Sequence, residues 1–305
     1  MTSISRFLAA ILVLFAASHA TAALRVVATT PEYGAIAAAI GGDKATVVTL
    51  AKPTEDPHFV DAKPSHIVTL NRADVLIEGG AELETGWLPP LLDGARNPKI
   101  ASGMPGHIRA SEGIQLLDVP AVLDRSQGDI HAAGNPHFMM DPHSAAVVAK
   151  HLADAFCGLD AASCPAYKAN LAAFQTKLDA KTAEWVAALA PFKGTPIVTY
   201  HPTWRYFSQR FGLASDLFLE PKPGIPPSPP HLAEVMQKMT DQKIHVVLVE
   251  PFQSRKTAEA VAARTGAVVV DVCQFPGGLP NTQNDYIALI DADVKAIVAG
   301  LSAAK

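Results

Sequence analysis

Residues 165–189 read PAYKANLAAFQTKLDAKTAEWVAAL. The stretch has no Gly and no internal Pro, and Leu171, Phe174, Leu178 and Trp185 recur at helical spacing. Pro165 suits the first turn of a helix, where its missing N–H costs nothing. At 1.5 Å per residue the run makes a rod of about 37 Å, long enough to back two domains at once. Two shorter helices broken near Asp179 are the alternative. On either side of the run, strand-like and helix-like segments alternate. Before it the strand candidates are 25–29, 46–50, 75–78 and a weaker one at 99–101, with helices over 33–40 and 83–92. After it they are 196–200, 216–219, 246–250 and 268–272, with helices over 203–211, 231–240, 256–265 and 286–299. Alternation of this kind predicts parallel sheets covered on both faces. The expected fold is therefore α/β: two (β/α)4 domains, residues 24–160 and 193–305, joined by a single long backbone helix within 161–192. The proline-dense run PKPGIPPSPP at 221–230 is stiff and extended, and fits a rigid surface loop inside the second domain.

Composition narrows the function. The chain has 305 residues, 49% hydrophobic and 18% charged, with a formal net charge of −4. It is long enough to build its own core and too apolar for disorder. It lacks the clustered Lys and Arg of a nucleic-acid binder. Three cysteines stand against eleven histidines, and His is the commonest metal ligand and a frequent base.

Residues 1–23, MTSISRFLAAILVLFAASHATAA, have one charge, Arg6, then an apolar run, then the small-x-small pattern Ala20-Thr21-Ala22. This reads as a secretory signal peptide, too short in its apolar part to anchor in a bilayer. Export to an oxidising compartment, the periplasm, favours a disulfide between Cys157 and Cys164 across a short Gly-containing loop. Cys273, at the end of an apolar strand, is expected to be a buried free thiol.

In open parallel sheets ligands bind beyond the carboxyl ends of the strands. Several polar groups fall there: Glu55-Asp56-Pro57-His58 after the second strand, Asp129-Ile130-His131 and Asn135-Pro136-His137 before the middle of the chain, Tyr200-His201-Pro202, and Asp285 before the last helix. Three imidazoles and one carboxylate, His58, His137, His201 and Asp285, form a donor set suited to four-coordinate Zn2+. Each His adjoins or closely follows a Pro, which stiffens the backbone beside it. Glu250, ending a core strand toward the same edge, is placed to orient a ligand His by accepting its second N–H. His66, on the helix after Lys63-Pro64-Ser65, reads as exposed or as a contact behind a ligand, and His143, at a helix start after Asp141-Pro142, as a capping or surface residue. His107, His151, His231 and His245 have no acidic or His neighbour. Trp204 and Tyr206 are expected to pack between the domains.

The sequence resembles the exported zinc and manganese receptors of ABC transporters, the ZnuA/TroA-type, cluster A-I solute-binding proteins. The resemblance rests on EDPHFVDAKPSHI at 55–67, GGAELETGWLPPLL at 79–92, GDIHAAGNPHFMMDP at 128–142, TYHPTWRYFSQRFGL at 199–213, EPKPGIPPS at 220–228, LVEPFQSRKTAEAVAARTGA at 248–267 and NDYIALI at 284–290. It implies two domains bridged by one helix with the metal in the cleft between them. It carries the family's ligands onto His58, His137, His201 and Asp285. In manganese receptors the third position resembles Glu, so His201 favours zinc. In many relatives the carboxylate lies two residues before the Tyr, where this chain has Asn284; Glu55 or water then substitutes for Asp285. The long His- and acid-rich loop of some zinc receptors is absent, and the short segment 118–133 replaces it, with His131 and Asp129 as auxiliary contacts.

The expected function is that of a monomeric, non-enzymatic, high-affinity zinc receptor. It would take Zn2+, with or without a periplasmic metallochaperone as donor, and pass it to a cognate permease at the inner membrane. No nucleic acid is involved. A Mn2+ or Fe2+ receptor of the same type is one alternative. An exported zinc hydrolase, using an open fourth position to activate water, is another, although the chain has no His-Glu-x-x-His motif. A continuous helix between the domains resists wide hinge closure, so metal release is expected to reorder the loops at 131–137 and 275–285.

Overall fold

The computed structural model describes residues 23–122, 128 and 130–304. The leader reading at 1–23 therefore lies almost wholly outside the described residues, and Asp129 lies outside them as well. Among the described residues no helix is long and apolar enough to cross a membrane.

The first half begins with β1 (Leu24–Ala28) and α1 (Pro31–Gly41), followed by β2 (Ala45–Thr49), α2 (Pro64–Arg72), β3 (Val75–Glu78), α3 (Leu88–Ala95) and β4 (His107–Arg109). The strands form one parallel sheet in the order β2-β1-β3-β4. The second half repeats the plan with β5 (Pro196–Thr199), α6 (Arg205–Phe211), β6 (Ala214–Phe218), α7 (Pro229–Asp241), β7 (Val246–Val249), α8 (Arg255–Thr265), β8 (Val268–Asp271) and α9 (Tyr286–Ala303). Its parallel order, β6-β5-β7-β8, is the same. Two helices separate the sheets, α4 (Pro142–Leu159) and α5 (Cys164–Leu189).

The fourth strand differs from the sequence expectation. Residues 98–100 form a 3-10 turn, because Pro98 cannot donate to a ladder and Asn97 caps the turn by accepting from Lys99 N at 3.0 Å. The edge strand lies seven residues on, at His107–Arg109, paired with Leu76–Glu78. The helix expected over 83–92 starts at Leu88 instead. Pro89 and Pro90 are tolerated only in a first turn, so they set its N-terminus.

Helix α5 is continuous over 26 residues, with no break at Asp179. Its N-terminal part lies on the first half, where Asn170 Nδ2 donates to Ile40 O at 2.9 Å. Its C-terminal part lies on the second, where Trp185 Nε1 donates to Asp291 Oδ1 at 3.1 Å. Tyr167, Phe174, Leu178, Trp185 and Leu189 supply the buried stripe. Cys157 and Cys164 form a disulfide across the α4–α5 turn, and Cys273 is free and buried.

One apolar core runs through α1, α4, α5, α6 and α9 and reaches the inner faces of both sheets. Smaller cores fill the outer face of each sheet. Polar pairs also fasten the halves together. Arg210 on α6 makes two 2.7 Å bonds to Asp141 before α4, and Tyr286 Oη donates to Met139 O at 2.6 Å. The carboxyl ends of both sheets consequently face a common cleft.

Candidate metal centre

Three loops at the strand ends bring four imidazoles into that cleft, His131 and His137 sharing the one between β4 and α4. His58 follows β2. Its loop is set by Trp87 Nε1, which donates to Pro57 O at 2.9 Å, and by Asp56 Oδ1, which accepts the His58 backbone N–H at 3.0 Å. His137 precedes α4 and is set in the same way, with Asn135 Oδ1 accepting its backbone N–H at 3.0 Å. His201 follows β5 directly, its carbonyl accepting from Thr199 Oγ1 at 2.8 Å. The ring of His58 lies 5.2 Å from that of His137 and 5.3 Å from that of His201, and the last two are 5.1 Å apart, all edge-on. One ring nitrogen from each lies within 4.8 Å of the others. His131 stacks on His58 at 5.3 Å.

Asn135 ties two of these loops together. Its Nδ2 donates to Pro202 O at 2.9 Å, and Tyr206 Oη donates to its carbonyl at 2.7 Å. The cluster is therefore assembled across the two halves by hydrogen bonds and not by the linking helix alone.

Each of the three clustered rings is held at Nδ1. Asp56 Oδ1 lies 2.9 Å from Nδ1 of His58, Glu220 Oε2 lies 2.9 Å from Nδ1 of His201, and Gln274 Oε1 lies 3.2 Å from Nδ1 of His137. Such acceptors favour the Nδ1–H tautomer and leave Nε2 with its lone pair free. Nε2 of His58, His131 and His137 is buried with no hydrogen-bond partner. Unpaired buried polar atoms are costly, and imidazole lone pairs converging on one cleft fit a cation held among them.

The electrostatics agree. Burial holds the His137 imidazolium far below its ordinary range, reinforced by the neighbouring His201 and His58. Burial and the same neighbours bring His131 down to about 4. Both rings are therefore neutral, as metal ligation requires. Burial alone would raise the Asp56 carboxyl, but the hydrogen bond and charge of His58 outweigh it and lower it.

The other sequence candidates fall elsewhere. Asp285 is not in the cluster: its Oδ1 caps α9 by accepting from Ala288 N at 3.0 Å, and its Oδ2 meets Lys177 Nζ on α5 at 3.2 Å. An acidic residue at a helix start has this competing use, and here the cap and the lysine hold it. Glu55 pairs with Lys52, at 3.0 Å to Nζ and 2.9 Å to the backbone N. Glu250 does not reach an imidazole. It accepts from Gln274 Nε2 at 3.0 Å and Trp204 Nε1 at 3.2 Å, and burial raises its carboxyl to about 7. Its link to His137 runs through Gln274. His107 does have an acidic neighbour, Glu78, 3.2 Å away across the sheet edge. His66 and His143 lie outside the cluster, and the His143 backbone N–H is taken by Asp141 at 2.9 Å.

Sequence reasoning missed Asn135, Gln274 and Glu220 as supports. Asn135 had a legible signal, since Asn-x-His repeats the Asp-x-His of residues 56–58. Gln274 and Glu220 had none, because they meet their rings only through tertiary packing.

A family model, that of the zinc-uptake complex component A, periplasmic (ZnuA), matches residues 26–300. The chain belongs to this family. It is a metal-binding substrate-binding protein of the ABC-transporter type, and its family consists of solute-binding receptors and not enzymes. The chain is similar to the iron ABC transporter substrate-binding lipoprotein MtsA of Streptococcus pyogenes serotype M1, with 25% identity over 249 residues, 80% of this chain and 77% of the relative. It is likewise similar to the manganese ABC transporter substrate-binding lipoprotein PsaA of Streptococcus pneumoniae, with 24% identity over 244 residues, 78% and 76% of the two chains. A crystal structure of ZnuA shares the fold of the receptor with a TM-score of 0.76 at 24% identity, covering 91% of this chain and 99% of the other.

Proposed function

We propose that this receptor captures Zn2+ as the cargo of an ABC importer, holding it with His58, His137 and His201 and with His131 as the fourth contact. In this reading the protein is exported to the periplasm and delivers the ion to a membrane permease. The observation that carries the proposal is the convergence of three imidazoles whose Nδ1 atoms are already held, with Nε2 of His58 and His137 buried and unpartnered. Tetrahedral Zn2+ at about 2.1 Å from each nitrogen sets its ligands about 3.4 Å apart, so small ring tilts complete the site. An all-imidazole set favours a borderline ion over the harder Mn2+. Asp56 and Glu220, behind two of the rings, offset the charge of the incoming dication.

The iron and manganese named in MtsA and PsaA motivate a second reading, a Mn2+ or Fe2+ cargo at the same residues. Metal analysis of protein purified from periplasm without added metal separates the two. The zinc reading expects about one zinc per chain, with Mn2+ displaced in anaerobic competition titration. A manganese- or iron-loaded protein that zinc does not displace would refute it. Calorimetry of His58→Ala, His137→Ala and His201→Ala tests the ligands, and undiminished zinc affinity in all three would remove the site. For release, the shared core and bonded halves support reordering of the loops at 131–137 and 275–285 in place of wide hinge opening.

A further inference from the structure

Residues 79–84 read GGAELE and form an unusual turn after β3. Gly80, Ala81 and Glu82 have φ of 71°, 51° and 67°, three successive residues in the left-handed region. Glycine suits the first, where a Cβ would come within 2.5 Å of Ser111 Oγ and displace that hydroxyl. Ala81 and Glu82 adopt a conformation that L-residues rarely hold unless their surroundings enforce it.

The enforcing group is Glu84. Its buried carboxylate accepts Gly79 N at 2.6 Å and Thr29 Oγ1 at 2.6 Å through Oε1, and Gly80 N at 3.2 Å through Oε2. The strain serves no packing need at Glu82, which is exposed. It aims the Glu82 carboxylate at another loop: Oε2 accepts the backbone N–H of Ala132. Ala132 directly follows His131, whose carbonyl closes the next turn by accepting from Gly134 N at 3.1 Å. His131 is thereby held over His58, with its Nε2 buried and unpartnered.

We propose that Glu82 is the positioning residue of the metal gate, a latch on the Ala132 amide that keeps His131 over the other three imidazoles and slows metal release. The inference rests on the reading of His131 as the fourth contact. Glu84 braces the strained turn, and the turn delivers the latch. Because Glu82 is exposed, the latch can open from outside without disturbing the buried cluster.

Stopped-flow zinc release into excess chelator tests this, with folding checked by circular dichroism. Glu82→Ala should speed release by about tenfold, the scale of a lost support to a metal ligand, and His131→Ala, which removes the contact itself, by at least as much. The double variant should release no faster than His131→Ala alone, since both changes remove the same contact. Glu82→Gln keeps an acceptor oxygen and should stay within about twofold of the parent. Glu82→Gly relieves the left-handed strain and stays folded, yet should release as fast as Glu82→Ala. Wild-type release from Glu82→Ala or Glu82→Gly while His131→Ala is fast, or multiplied effects in the double variant, would overturn the latch alone. Wild-type release from His131→Ala would overturn both the latch and the reading on which it rests.

Discussion

Nδ1 of His137 lies 3.2 Å from Oε1 of Gln274, a pair that joins the loop before α4 to the loop after β8. Gln274 can accept from the imidazole because its amide nitrogen is committed to Glu250, 3.0 Å away. The amide orientation and the ring tautomer are thus set together by one buried carboxylate. Replacing Gln274 by Ala should lower zinc affinity by about 10- to 100-fold. His137→Ala should cost considerably more. Equal isothermal titrations of Gln274→Ala and the parent would show that the relay does not matter.

Asp285 separates two roles that look alike in sequence. Its carboxylate caps α9 and pairs with Lys177. Asp285→Ala should leave zinc affinity within about twofold of the parent and lower stability by about 1 kcal/mol through loss of the cap. A large fall in affinity measured by calorimetry would return Asp285 to the site.

Stability should depend on pH through buried carboxyls. Burial raises Glu32 to about 8, against the pull of its bond to Thr30. The folded value lies above that of an unfolded Glu, near 4.3, so the fold favours the protonated form. This contribution is complete below about pH 4.3 and is lost as pH rises through about 8. Glu84 and Glu250, each raised to about 7 chiefly by burial, act in the same direction. The apo protein should melt lower at about pH 8.5 than at about pH 5.5, and Glu32→Gln should flatten that decline by a few degrees. Parallel melting profiles for parent and variant would exclude Glu32 as a contributor.

The Cys157–Cys164 bridge closes a short turn far from the imidazoles. For a loop of this length the chain-entropy estimate is about 2.5 kcal/mol. Cys157→Ser should lower the denaturant midpoint accordingly and leave zinc affinity unchanged. A parallel loss of affinity would mean that α4 transmits strain to His137, the residue five before its N-terminus.

Much of the architecture was legible in the residues. Strand-helix alternation on either side of 165–189 placed seven of the eight strands, and the Gly-free run marked α5 correctly. The strand at 107–109 was hidden because His-Ile-Arg is short and only Ile108 is buried, while Ile100 drew the assignment to a turn. The imidazoles were legible as Pro-flanked histidines at strand ends. An acidic side chain before a helix fits a cap as well as a ligand, and the Asp285 carboxylate caps α9 and meets Lys177.

By itself, the sequence determined the fold class, the helix between two similar halves, and the three histidines that strand ends would carry toward one edge. Those features are local: periodicity, turn chemistry and position along the chain. Only the tertiary structure decided which polar groups meet. Asp56 lies two residues from His58, but Glu220 is 19 residues from His201 and Gln274 is 137 from His137. The Glu220 contact depends on the pairing of β6 with β5 in one sheet, and the Gln274 contact on how the two halves pack together; no local pattern encodes either distance. Tertiary packing likewise drew Asp285 to Lys177 and set His131 against His58.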